Sequence, residues 1–547
     1  MFDPNFISGR SRAGLLALAL VVSCCATTVD AATYYIDSVN GSDGAVGTST
    51  ATAWKTLTNV NATTFVAGDQ ILLHTDQSWS GQLHPLGSGT SAAPIVISSY
   101  GGGAKPIIDG STLSGGGAVY LLNQGGWTIN GLEVVSNSGV NNVGTTAAPA
   151  VNRSGIFVDN EAGGVLSGIT IQNNYVHNVN GCFVCGGVDA HGNGGIVVLA
   201  DGSNVFLASV LTVGNESYNN VRILNNEVSN VGREAVVFWD NSTGLGFLIT
   251  NPASLSTNVT IRGNQVYSVD GDGISLSGAT NSLIEHNVVG GAGLVTVAGS
   301  TEPSSGGIWA MKTVGVTMQY NEVYGVLTQQ VDGQAFDNDL FSYNTLIQYN
   351  YSHDNQGGFL LMEGQPGLAG TNLTVRYNLS VNDSYGGVKG VFTSEYGTIG
   401  TVSIYDNTVY IPAGSHSQPI FCDSCYPSAV NFNIWNFENN IIANFGSGNY
   451  TNPAGWNVLF SNNLFYGNHP SGEPADAHKI TSDPQFVSPL ATAPYGIGSV
   501  GGYQVGAGSP AIGAGAVISN NGGLDYFGNP VSATAAPTVG FYEATHF

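Results

Sequence analysis

The chain has 547 residues, of which only 9% are charged, with 12 Lys and Arg against 36 Asp and Glu for a formal net charge of −24. So few basic groups argue against a nucleic-acid binder, because phosphate neutralisation is the work of Lys and Arg. They also weigh against a polyanionic substrate unless a cation intervenes. The 77 Gly, with Asn, Ser and Thr in place of strong helix formers, predict many short strands and turns.

At the N-terminus, Arg10 and Arg12 precede the apolar run Leu15 to Val22, and Val29-Asp-Ala31 offers small residues for cleavage. Residues 1–31 therefore read as an export signal, too short to span a membrane. Val21-Val-Ser-Cys24 loosely resembles a lipoprotein processing site, with Cys24 as the alternative anchor. Either route predicts a secreted or surface-attached protein, and a monomer is expected. Export gives meaning to Cys182-Phe-Val-Cys185 and Cys422-Asp-Ser-Cys425, which read as two local disulfides. Zinc held by both pairs with His191 is the alternative, but the interval between the pairs far exceeds that of zinc half-sites.

Residues 32–120 form a Gly/Ser-rich opening with strand-like runs such as Gln70-Ile-Leu-Leu-His74. Residues 121–468 carry a repeat, and 469–547 are looser, rich in Pro, Gly and Ala, and are expected to cap the exposed end of the stack. The repeat is an apolar-alternating strand ending in Asn, as in Val221-Arg-Ile-Leu-Asn-Asn226, Val259-Thr-Ile-Arg-Gly-Asn264 and Val316-Thr-Met-Gln-Tyr-Asn321. It returns about every 20–50 residues, the mark of a solenoid. A second strand, often entered by Gly-Gly, accompanies it, as in Gly306-Gly-Ile-Trp-Ala-Met and Gly357-Gly-Phe-Leu-Leu-Met. Short β-branched strands without helical period predict an all-β parallel β-helix whose coils stack about 4.8 Å apart. The recurring Asn is then a turn residue in a hydrogen-bonded ladder.

With the opening Tyr34-Tyr-Ile-Asp-Ser-Val-Asn-Gly-Ser-Asp43, the stretch Gly81-Gln-Leu-His-Pro85, the coils and the tail's Ser509-Pro-Ala-Ile-Gly, the chain resembles the secreted right-handed parallel β-helix proteins of the pectate-lyase-like superfamily. The resemblance covers most of residues 33–547 and implies carbohydrate-active chemistry. It does not choose a reaction, since this fold serves hydrolases, lyases and noncatalytic adhesins.

Charge is scarce, so its clusters are informative, and the densest runs from Lys312 to Glu363. Aligning the strands on their Gly-Gly entries puts Lys312, Asn338 and Glu363 at one level of successive coils. Asp337 and Asp339 flank Asn338 and point the same way, about 6.6 Å apart at Cα. Paired carboxyls of this kind suit inverting glycoside hydrolysis, and crowding raises one of them toward the range a general acid needs. Asp337 and Asp339 are the leading catalytic pair, with Asp332, Glu363 and His353 assisting. Trp309 is expected to be an exposed sugar-stacking platform, and Lys312, Asp354, Lys389 and Arg376 to contact substrate. A second grouping is Arg233-Glu234 with Trp239-Asp240 and Asp270/Asp272: the first reading is an ordinary Arg233–Glu234 surface pair, the alternative an extension of the same groove as binding subsites.

Two family patterns bear on the reaction. The Asn-Thr-Asp, Gly-His-Gly and Arg-Ile-Lys set of polygalacturonase-like glycosidases has only the faint counterpart Val269-Asp-Gly-Asp272, and no Arg-Ile-Lys exists. Gly306-Gly-Ile-Trp-Ala-Met-Lys312 and Asp332-Gly-Gln-Ala-Phe-Asp337 look loosely like the coils of calcium-dependent pectate lyases. That resemblance implies Ca²⁺ on Asp332, Asp337 and Asp339, with Lys389 or Arg376 as the base. A hydrolase needing no cofactor is thus the first expectation, a Ca²⁺-dependent lyase the second, and a noncatalytic glycan-binding solenoid the third.

Overall fold

The computed structural model describes residues 30–139, 143–144, 150–185, 190–200, 216–241, 255–295, 305–328, 332–364, 371–395, 400–423, 434–451, 458–490 and 492–544. Three long parallel sheets wind around one core. The first has 14 strands, from Thr33–Ile36 to Val458–Ser461, and the second has 13, from Ser78–Ser80 to Leu464–Gly467. The third has 10, from Gly116–Leu122 to Gln418–Asp423. Successive coils add one strand to each sheet, which is a parallel β-helix.

Alternation along each strand selects the inward residues, and parallel register stacks them into columns. One column of the first sheet runs Ile171, Ile223, Ile261, Ile284, Met318, Ile347, Val375, Ile404 and Phe437. All of these are fully buried, and each such side chain contributes roughly 1.5–3 kcal/mol of hydrophobic stabilisation.

The repeated Asn closes the corner between the first and second sheets. Asn264 shows the pattern: its Nδ2 donates to the Ile223 carbonyl at 2.9 Å and to Asn287 Oδ1 at 3.0 Å. Its Oδ1 accepts from the Asn226 amide at 2.9 Å and from Asn226 Nδ2 at 3.0 Å. The ladder continues through Asn287, Asn321, Asn350, Asn378, Asn407 and Asn440. The preceding residue takes a left-handed turn, as at Asn225, Gly263, His286 and Tyr320, so the corner is polar yet satisfied.

The C-terminal region does more than end the stack. Ile480 bridges to Leu464 at the last coil, and the chain then returns along the outside of the first two sheets. Tyr349 Oη donates to the Leu524 carbonyl at 3.0 Å, Tyr351 Oη to the Pro494 carbonyl at 2.8 Å, and the Gly496 amide to Glu322 at 2.7 Å. This strap covers the outer surface of two sheets, and the outer face of the third carries the chemistry. The export signal and Cys24 lie outside the described residues.

Candidate active site

The third-sheet register decides which side chains meet. Its outward column runs Phe157, Val197, Val237, Ser275, Trp309, Asp337, Leu361 and Thr393. Apolar outward residues thus give way to a carboxyl at Asp337. Asn338 stands opposite Ala310 and Met362, so Lys312 and Glu363 do not share its level as the Gly-Gly alignment predicts. The reason lies in strand entry. Gly358 pairs with Gln334, whereas Ile308, just after Gly306-Gly307, pairs with Phe336, so the glycine pairs enter at different heights.

The carboxyls nonetheless converge. Asp332, Asp337, Asp339 and Glu363 are all partly exposed on this face, and each acts on the others' ionisation. Burial, then repulsion from Glu395, moves Asp332 up to about 7, although Lys389 opposes the rise. Asp339 and Asp272 add further repulsion there. Burial and the charges of Asp339, Asp332 and Glu395 push Asp337 well above the ordinary carboxylate range. Glu363 is raised in the same way by burial, Asp339 and Asp337. Asp339 is also raised by burial, but a hydrogen bond from Glu363, the Leu340 amide, and the electropositive His191 and Lys312 hold it back. All four carboxyls are therefore raised above the ordinary range, and Asp339 is the one whose rise hydrogen bonds and nearby positive charge oppose.

Glu395 was not singled out by sequence reasoning. It pairs in register with Glu363 and is ion-paired to the buried Lys389. The signal was present, since neighbouring strands end in Leu361-Met-Glu363 and Thr393-Ser-Glu395. Asp332, Glu363 and Glu395 bring carboxylate oxygens within 4.8 Å of one another. Of the described residues this trio and the group His191, Glu234 and Asp272, rather than Asp332, Asp337 and Asp339, are spaced to share a cation, and Lys389 already brings positive charge to the trio.

A second charged group occupies the preceding coils. Arg233, Glu234 and Asp272 are all buried, so the expected surface pair is an internal network. Arg233 is ion-paired to Asp272, and Ser275 Oγ donates to Glu234 at 3.0 Å. Asp272 also accepts from the Gly306 amide at 2.7 Å and from Trp309 Nε1 at 3.1 Å. Burial and the neighbouring Asp272 raise the Glu234 carboxyl well above its usual range, against the pull of Arg233. The sequence brings these residues out as a group, and the correction concerns their burial, which makes the pair internal.

Several expectations are corrected. Trp309 points outward but is only 7% exposed, packed with Trp239, Met311 and Val237, so it is no open platform. His353 lies on the second sheet, fully buried between the rings of Tyr324 and Tyr351 and bonded to Asp354 and Glu322. It and Asp354 face the C-terminal strap, where Tyr495 meets the imidazole edge-on. Arg376 lies on the first sheet and bonds Gln348, Tyr405 and the Asn520 carbonyl. None of the three can reach the carboxyl cluster, because adjacent residues in a coil turn onto different sheets. Lys389 does reach it, but as the ion-paired neighbour of Glu395. Lys312 is near Asp339 though 8% exposed. The Cys182–Cys185 disulfide is formed, and Cys422 is disulfide-bonded as well, while Cys425 lies outside the described residues.

Comparison with known proteins agrees with this architecture. A family model described as a right-handed beta helix region matches residues 210–409. The chain is 29% identical to a lacto-N-biosidase of Bifidobacterium longum subsp. longum, over 95% of this chain and 37% of that protein. It thus spans little more than a third of the curated relative. The crystal structure of native GH136 lacto-N-biosidase from Eubacterium ramulus superposes with a TM-score of 0.58 at 25% identity, covering 78% of this chain and 67% of that one. Its selenomethionine form gives 0.59 at 24% identity with the same coverage. The right-handed parallel β-helix is therefore the fold of this protein.

Proposed function

We propose that this protein is a glycoside hydrolase whose centre is the carboxyl cluster on the third sheet. The observation that carries the reading is the contrast within the cluster, where Asp332 sits at about 7 beside Asp339, whose smaller rise is opposed by hydrogen bonds from Glu363 and the Leu340 amide and by His191 and Lys312. An acid that keeps its proton near neutrality and a carboxylate that gives its proton up are the two groups glycoside cleavage requires.

In this reading Asp332 protonates the departing glycosidic oxygen. Asp339 is the carboxylate that meets the developing oxocarbenium carbon, and Glu363 orients it through their hydrogen bond. Asp337, which keeps its proton, donates to a sugar oxygen. The Asp332 carboxyl lies within 4.8 Å of Glu363, which is itself bonded to Asp339, so acid and nucleophile belong to one cluster. In this reading cleavage proceeds with retention through a glycosyl–Asp339 ester, in place of the inverting expectation. The Asp339 carboxylate bonds to the anomeric carbon as the glycosidic C–O bond breaks and the Asp332 proton goes to the leaving oxygen; water, giving a proton to Asp332, then attacks the anomeric carbon and releases Asp339 as a carboxylate.

The named relatives support a lacto-N-bioside as substrate, and an uncharged glycan suits the acidic surface. The expected export signal supports an extracellular setting. The lyase alternative loses its proposed bases, since Lys389 is ion-paired and Arg376 is on another sheet. The test is incubation with an aryl lacto-N-bioside and with oligosaccharides ending in lacto-N-biose. New reducing ends without absorbance near 235 nm, and a first-formed sugar of retained anomeric configuration by proton NMR, are expected. Unsaturated products lost with EDTA would overturn the assignment.

A further inference from the structure

The corner between the first two sheets carries a column of residues that the chemistry of the third sheet does not use. One residue in the left-handed region stands before each ladder Asn, giving Asn173, Asn225, Gly263, His286, Tyr320 and Tyr349 in successive coils. In the later coils this column is a stack of rings. His286 lies on Tyr320 with centroids 5.0 Å apart, and Tyr320 lies on Tyr349 at 5.0 Å. The C-terminal strap seats on that stretch, at Tyr349 and the nearby Glu322. In the earlier coils the column loses its ring at Gly263 and goes on as the exposed Asn225 and Asn173. A Cβ on Gly263 would lie 2.3 Å from Asn225 Oδ1, so with its positive φ this position admits only glycine.

A cleft of about 360 Å³ opens at this break in the stack. Gly263, Asn173 and Asn225 line it together with Lys105 and with Tyr175, Glu227 and Gln265, which form one register column of the second sheet. The volume is within the range of small-ligand sites. Its lining suits hydroxyl groups, which both donate and accept: the three carboxamides do both, Lys105 donates and Glu227 accepts. The single positive and single negative charge balance, so neither an anion nor a cation is selected. One ring completes the set. Tyr175 stacks on His177 with centroids 4.0 Å apart and planes 16° apart. His177 is itself held, with Nε2 3.0 Å from Glu133 and Nδ1 2.9 Å from Asn178 Nδ2. Asn173 Nδ2 donates to Asn130 Oδ1 at 2.9 Å. Groups held in this way lose little freedom when a ligand takes them up.

We propose that this cleft is a second, noncatalytic binding site for a neutral oligosaccharide. Tyr175 is the surface on which a sugar ring packs, and the carboxamides, Lys105 and Glu227 are the partners of its hydroxyls. The cleft is on the corner of the first two sheets and the carboxyl cluster is on the third, so the site does not rest on the glycosidase reading.

The experiment uses the full chain with Asp339→Asn, which prevents turnover, alone or combined with Tyr175→Ala or Gln265→Ala. A tetrasaccharide ending in lacto-N-biose and an oligogalacturonide of the same length are titrated into each by calorimetry, with a thermal melt of every variant. The tetrasaccharide should show a binding component that Tyr175→Ala weakens about tenfold and Gln265→Ala about fivefold. The oligogalacturonide should show no component that responds to these substitutions. Should Tyr175→Ala fail to fold, the exposed Gln265→Ala carries the same prediction. Tetrasaccharide binding that is absent, or unchanged in every folded cleft variant, overturns the inference, as does an oligogalacturonide bound equally tightly at the cleft. A wild-type protein that hydrolyses no glycan, yet shows the component lost with Tyr175→Ala, removes the glycosidase reading and leaves this site standing.

Discussion

Replacing Asp332 by Asn tests the proton-holding acid through two readouts that should move in opposite directions. A carboxyl moved from 3.8 to about 7 is worth at most about 4 kcal/mol between its protonation states. Its folded form binds the proton more tightly than its unfolded form. Its contribution to stability is therefore whole below pH 3.8 and is lost as pH rises through about 7. Asn cannot ionise, so the variant escapes that loss. Relative to wild type, its stability should improve progressively from pH 4 to pH 8, by up to about 4 kcal/mol at the upper end. Turnover should meanwhile fall by at least about a hundredfold. Urea unfolding followed by circular dichroism at each pH gives the first readout, and release of the aryl group gives the second. A stability difference that is flat across this range would refute the claim that Asp332 keeps its proton in the fold.

Other outcomes follow from the same geometry. Asn287→Ala strips the ladder of a buried donor and acceptor, leaving the Ile261 carbonyl and the Asn264 amide unanswered. It should cost about 2–4 kcal/mol in chemical unfolding with KM unchanged. Arg233→Met leaves Asp272 and Glu234 as buried uncompensated acids and should lower stability by about 3–5 kcal/mol. His353→Gln should leave turnover within about twofold of wild type while weakening the seat of the C-terminal strap. Burial opposes protonation of His353, but its bonds to Asp354 and Glu322 outweigh this and raise its pKa above 6.5. That stabilisation is present below 6.5 and fades as pH rises through the folded value, so the Gln variant's deficit in melting temperature should be larger at pH 5.5 than at pH 8.5.

The fold was legible because a β-helix writes itself as a repeat. Each Asn at a coil corner must satisfy the same backbone groups, so Asn226, Asn264 and Asn321 recur with the same apolar alternation before them. The carboxyl cluster was legible for a related reason: Asp332, Asp337, Asp339 and Glu363 are near one another in sequence and on adjacent strands of one sheet. What failed were assignments that depend on where a coil turns. His353 and Arg376 are as near in sequence as Glu363, but a few residues along a coil carry the chain onto another sheet. Exposure of Trp309 was misjudged for a different reason. An outward direction was taken for an open surface, whereas Trp239 and His191, more than one coil away in sequence, pack against it. Arg233 and Asp272 form a pair whose partners are 39 residues apart; their grouping is legible from successive coils, but their burial is not.

The claim that Asp339 is the carboxylate at the reacting carbon is tested most directly by Asp339→Ala assayed with an aryl lacto-N-bioside in the presence and absence of azide. The account predicts that hydrolysis is lost without azide and that azide restores release of the aryl group, yielding a glycosyl azide of inverted configuration. Hydrolysis at the wild-type rate in this variant, with no azide adduct, would contradict it.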